Sequence, residues 1–147
     1  MKNTKKLFLG ILIFSLLYVL AACGKNKEQI ATLELKSNPT TGYSWYASQS
    51  PELFEINSEY IADSSDPDLV GCGGKDVFTL KPLKAGSCEV SFVYQRPWET
   101  TEPADTYVYQ ITVTDDLRIQ VNGGSAGLSR TANGSSEVPE FVIASVK

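Results

Sequence analysis

The chain has 147 residues, with 13 Lys and Arg against 17 Asp and Glu, and no histidine. An acidic balance is a poor match for nucleic acid, whose phosphates require clustered Lys and Arg. The missing histidine removes Ser-His-Asp and Cys-His catalysis and every His-containing zinc site. The length suits one domain with its own core and is short for two.

In chain order, Lys2, Lys5 and Lys6 form a positive start, and Leu7 to Ala22 is a run of 16 uncharged residues. That is shorter than the ~20 residues of an ordinary membrane span and fits the apolar region of a secretory leader. The run ends Leu20-Ala21-Ala22-Cys23, small residues ahead of a cysteine, which resembles the bacterial lipoprotein signal. The resemblance implies a signal peptide over 1–22, palmitate-type lipid on Cys23 and a polar tether over 23–29. It places the protein outside the cytoplasm, anchored to a bacterial cell membrane or outer membrane. Such anchors contribute about 0.8 kcal/mol per buried CH₂. The leader holds three of the basic residues and none of the acids, so the remainder has ten against 17, net −7.

Past the tether the pattern is alternation. Leu33 and Leu35 alternate with Glu34 and Lys36, which predicts a half-buried strand over 30–36. Tyr43 to Tyr46 returns to strand after a turn-rich loop, and Leu53 to Ile61 alternates imperfectly at Phe54, Ile56 and Tyr60. Residues 75–81 carry Val77, Phe78 and Leu80, and residues 88–94 place Cys88, Val90, Phe92 and Tyr94 on one face. Thr106 to Thr114 is rich in Tyr, Val, Ile and Thr, the residues of strands. No segment has a long helical period. Six short strands predict an all-β domain over 30–114, a two-sheet β-sandwich rather than a barrel, because the loops are long enough to cross between sheets. Residues 115–147 form a C-terminal extension: a possible seventh strand at 117–121, a Gly/Ser/Asn-rich segment, and apolar Val138 to Val146.

The turn at 82–87 predicts a hairpin between 75–81 and 88–94. Cys72 then lies roughly 20 Å from Cys88 at 3.4 Å per strand residue, too far for a disulfide, so Cys88 reads as a small buried hydrophobe and Cys72 as a loop thiol. In the same arrangement the loops 62–74 and 95–105 share one end of the domain. Loop 37–42 joins them if strand 30–36 runs parallel in space to 88–94, as a sandwich allows.

The composition of these loops suits binding a protein. Asn38 and Pro39 stiffen a turn, Thr40 and Thr41 put two small hydroxyls at its tip, and Gly42 permits a sharp return to strand. Gly71, Gly73 and Gly74, beside Leu69 and Cys72, leave backbone groups open to close approach. Arg96-Pro97-Trp98 places a guanidinium and an indole on one stiff segment, the composition of an interface hot spot. Trp45, inside a strand, reads as core.

Three signatures now stand in order: Asn38-Pro39-Thr40-Thr41-Gly42-Tyr43 with Trp45, Gly71-Cys72-Gly73-Gly74 leading to Phe78, and Tyr94 with Arg96-Pro97-Trp98. Together they resemble the chagasin family of cysteine-protease inhibitors. The resemblance implies an immunoglobulin-like β-sandwich with three binding loops at one end, in a monomeric, non-enzymatic protein that needs no cofactor or metal. It would inhibit papain-like cysteine proteases reversibly and without covalent chemistry, its three loops filling the active-site cleft. Thr40 and Thr41 would sit over the catalytic centre, Leu69 through Gly74 along one side, and Arg96 and Trp98 on the other. Cys72 departs from the small uncharged residue common at its position. The competing reading is a surface adhesion or capture module on the same fold. Gly73-Gly74-Lys75 is no phosphate loop, since the spacing fails and Asp76 stands where Ser or Thr belongs.

Overall fold

A computed structural model describes residues 27–63, 73–127 and 137–146. Alternation becomes pairing in eight strands among them: β1 (Gln29–Ser37), β2 (Ser44–Ser50), β3 (Phe54–Ala62), β4 (Gly74–Pro82), β5 (Gly86–Gln95), β6 (Asp105–Val113), β7 (Ile119–Ala126) and β8 (Val142–Ser145). They form two sheets of four, ordered β3-β4-β1-β8 and β2-β5-β6-β7, with every neighbouring pair antiparallel. This is the expected two-sheet sandwich of immunoglobulin-like type.

Each strand turns one set of residues inward, as period-2 geometry requires. Ala31, Leu33, Leu35 and Ser37 of β1 are buried, while Glu34 and Lys36 in alternation with them are exposed. Phe78 and Leu80 of β4 complete this inner face, and Cys88, Val90 and Phe92 of β5 with Tyr109, Ile111 and Val113 of β6 supply the other. Phe78 and Phe92 meet edge-on across the gap, ring centroids 4.9 Å apart. Burial of each large side chain contributes about 1.5–3 kcal/mol. Cys88 is 3% exposed and unbridged, and burial pushes its thiol pKa up. Cys72 lies outside the described residues.

The expected hairpin between 75–81 and 88–94 is corrected. β4 pairs with β3 and β1, whereas β5 pairs with β2 and β6. The link between β4 and β5 crosses from one sheet to the other, held where Leu83 N–H donates to the Leu53 carbonyl at 2.8 Å. Alternation reports which side chains face the core; it does not report which strand lies alongside. The other early crossing, from β2 to β3, is organised by Gln49. Its Oε1 accepts from the N–H groups of Leu53 and Phe54, both at 2.9 Å, and its Nε2 donates to the Phe54 carbonyl at 2.6 Å.

Residues beyond Thr114 add an edge strand to each sheet. β7 pairs with β6, with a register shift at Gln110/Ile111, and β8 pairs with β1. Tyr109 Oη donates to the Pro139 carbonyl at 2.7 Å, and Phe141 packs on the Tyr109 ring at 4.8 Å. Val138 and Phe141 thereby pack against the core beside β6.

Leu33→Ala is expected to lower unfolding free energy by about 2–5 kcal/mol, because its site is closed on all sides. Val142→Ala, at a position 68% exposed on β8, is expected to change it by less than about 0.5 kcal/mol. Urea denaturation of the two variants measures the contrast.

Candidate functional site

The register of β1 with β4 brings two loops to one end, since Ser37 pairs with Gly74. The loop after β1 and the loop before β4 therefore start side by side. The loop after β5 reaches the same end from the opposite sheet, and side-chain bonds join it to the first.

The first loop is a single 3-10 turn at Pro39–Thr41. Asn38 caps it: Oδ1 accepts from Thr40 N–H at 3.3 Å and from Thr40 Oγ1 at 2.6 Å. The Asn38 carbonyl accepts from Thr41 N–H at 3.1 Å and from Thr41 Oγ1 at 2.6 Å. Both threonines are exposed, yet their hydroxyl protons are used to hold the turn; what they present outward is methyl surface and acceptor lone pairs. Gly42 ends the turn at φ +81°, in the left-handed region that favours glycine. A Cβ there would also lie 2.6 Å from Cη2 of Trp98, so the indole edge rests on the space glycine leaves.

The second loop is described only at its base, where Asp63 N–H donates to the Gly73 carbonyl at 3.0 Å. Gly74 is buried, and a Cβ on it would collide with the Ile61 carbonyl oxygen and the Tyr60 ring. Leu69, Gly71 and Cys72 lie outside the described residues. In the third loop, Ala104 N–H donates to the Tyr94 carbonyl at 2.9 Å and closes the base. Pro97 and Trp98 form the turn, and Trp98 is 67% exposed. Arg96 crosses to the first loop, its Nε donating to the Thr41 carbonyl at 3.0 Å. Its hydrogen bond to Glu99, more than any other cause, raises its pKa above the ordinary value.

Beneath the rim lies an aromatic layer whose role the sequence reading missed. Tyr43 stacks on Tyr94 at 5.2 Å, Tyr94 on Trp45 at 4.9 Å, and Trp45 on Tyr107 at 5.5 Å. Trp45 is only partly buried, and its Nε1 donates to the Lys36 carbonyl at 2.9 Å. Tyr94 Oη accepts from Asn38 N–H at 3.0 Å. The available signal was aromatic spacing: Tyr43 and Trp45 are two apart, which puts both rings on one face of an extended segment. Of the residues expected at the site, Asn38, Pro39, Thr40, Thr41, Gly42, Arg96, Pro97 and Trp98 are gathered directly, with Gly73 and Gly74 at the adjoining base.

A β-sandwich that gathers stiff loops at one end presents them together as one surface. Comparison with known proteins is specific: the profile of the Chagasin family peptidase inhibitor I42 matches residues 26–113. The chain belongs to the chagasin family of peptidase inhibitors. It is 38% identical to Amoebiasin-1 of Entamoeba histolytica over 92 residues, covering 63% of this chain and 85% of the relative. It is 34% identical to Chagasin of Trypanosoma cruzi over 76 residues, covering 48% and 67%. The crystal structure of a cysteine protease inhibitor from Entamoeba histolytica superposes with a TM-score of 0.50 at 29% identity, covering 56% of this chain and 77% of the other. Members of this family inhibit and do not catalyse, which agrees with the non-enzymatic reading.

The same comparisons overturn one expectation. These relatives are eukaryotic proteins of Entamoeba and Trypanosoma, not bacterial lipoproteins, so lipid on Cys23, membrane attachment and a bacterial envelope location do not stand. A basic start, a short apolar run and small residues before a cysteine are few constraints, and they lie in residues 1–26, outside the described ones.

Gly42→Ala is expected to cost about 1–2 kcal/mol from the left-handed backbone alone and to push Trp98 off its seat. Tryptophan emission should shift with the loss of stability. In a Trp98→Ala background the cost should fall to the backbone part, which a double-mutant cycle in urea measures.

Proposed function

We propose that this chain is a reversible, non-covalent inhibitor of papain-like cysteine proteases, acting one-to-one as a monomer and filling the active-site cleft with three loops. The observation that carries this reading is the tie between the first and third loops, Arg96 to the Thr41 carbonyl at 3.0 Å, at the end where Gly74 brings in the second. Membership of the chagasin family and likeness to a structural relative that is a cysteine protease inhibitor support the same target class.

In this reading Thr40 and Thr41 enter the centre of the cleft above the protease's nucleophile. Leu69, Gly71, Cys72, Gly73 and Gly74 follow one wall, and Arg96, Pro97 and Trp98 meet the other. Thr40 and Thr41 offer no activated group, and their hydroxyl protons are committed to Asn38, so inhibition is by exclusion of substrate. Affinity follows from preorganisation: a turn closed by its own hydrogen bonds and stiffened by Pro39 loses little conformational entropy on docking. The exposed indole of Trp98 supplies the large apolar contact, of the kind that dominates interface energy. The inhibitory unit spans 30–114, and the strands after it complete the sheet edges.

Trp98→Ala is expected to weaken inhibition of papain at least tenfold, about 1.4 kcal/mol, with stability within about 0.5 kcal/mol of wild type. Inhibition constants from progress curves, alongside urea denaturation, check both. Equal constants for the two proteins would remove Trp98 from the interface. Saturable binding that leaves the protease active would select the adhesion reading.

A further inference from the structure

The guanidinium of Arg96 is engaged inside the protein on three sides. Nε donates to the Thr41 carbonyl at 3.0 Å, Nη1 donates to Glu99 Oε1 at 2.7 Å, and Cζ lies 4.5 Å from the centroid of the Tyr43 ring. Thr41 belongs to the first loop, Tyr43 leads from it into β2, and Glu99 belongs to the third loop. Glu99 is itself placed by a turn, its N–H donating to the Arg96 carbonyl at 3.2 Å. The Arg96 and Glu99 side chains are 33% and 31% exposed, so the pair is screened less than one standing free in water. A guanidinium is planar and rigid, so fixing one edge on a carboxylate fixes where the other N–H groups point.

We infer that Glu99 is a positioning residue: by orienting Arg96 it latches the first loop to the third before any target arrives. The functional consequence rests on the inhibitor reading above; the latch itself does not. With the latch open, the loops sample arrangements that do not fit the cleft, and apparent affinity falls by the fraction of molecules in the fitting one. Because the complex, once formed, has the same contacts, the loss falls on the association rate. Removal of a direct interface contact would instead fall chiefly on dissociation.

The experiment uses the full chain, with papain as the probe and two readouts. In the free protein, hydrogen exchange of the Arg96 Nε–H by NMR is expected to be at least about tenfold faster in Glu99→Gln than in wild type. Against papain, Glu99→Gln is expected to slow association about 5–20-fold and leave dissociation within about twofold. Glu52→Gln, an exposed carboxylate at the opposite end of the sandwich, is expected to change neither. If Glu99 acts through Arg96, the pair Arg96→Ala with Glu99→Gln should be no slower to associate than Arg96→Ala alone. Unchanged Nε–H exchange overturns the latch. Faster exchange with unchanged association, or a loss that appears in dissociation, or additive losses in the pair, overturns the positioning role. If wild type does not inhibit papain, the inhibitor reading fails and the role with it, and the exchange measurement still decides whether the latch exists.

Discussion

The bond on which the rim depends runs from Asn38 N–H to Tyr94 Oη, at 3.0 Å across 56 residues of sequence. Asn38 follows the last residue of β1, in one sheet, and Tyr94 belongs to β5, in the other. A single hydrogen bond contributes about 1 kcal/mol to stability; its importance here is geometric, because it fixes where the first loop leaves the core. The phenol that accepts it is itself held, with Tyr43 on one side and Trp45 on the other. Trp45 makes a second crossing of the same kind, to the carbonyl of Lys36. The loop that looks most free is therefore tied to the opposite sheet at its root.

This explains how small exposed residues can act as a rigid surface. Thr40 and Thr41 have few atoms with which to grip a partner, so their value lies in being held still. The closed turn, the left-handed Gly42 and the indole lying over it remove most of the conformations the segment could otherwise adopt. Entropy lost during folding is not lost again on binding. The apolar core performs the complementary task. Buried Leu33, Leu80, Val90, Phe92 and Tyr109 hold the two sheets at a fixed separation, so that ties made between sheets at the rim keep their lengths.

Much of this was legible in the residues. The six strands from Gln29 to Val113 lie close to where alternation puts them, because the side-chain period of a strand is visible in one chain without its neighbours. The inward set Leu33, Leu35, Val90 and Phe92 follows for the same reason, as do the turn at Asn38–Gly42 and the exposure of Trp98. Pairing was not legible. The segment Pro82 to Gly86 serves equally well as a hairpin turn or as a crossing between sheets, and only the partners that β4 and β5 find in opposite sheets distinguish the two. Nor could the sequence say that the threonine hydroxyls would turn back on Asn38, since a hydroxyl reads the same whether it faces inward or outward. The leader motif was over-read, since its few matched positions constrain destination weakly.

The amino-acid order by itself determined that the chain is all-β, that it lacks the residues for histidine chemistry, and which motifs mark its family, because these depend on composition, on period and on local spacing. Tertiary structure alone decided which strands are neighbours, that residues after Thr114 close both sheets, and that Tyr94, Trp45 and Arg96 join loops from opposite sheets. Most of those are contacts between residues well separated in sequence, up to 56 positions apart for Asn38 and Tyr94, created only when the chain folds back on itself, and no local pattern encodes them.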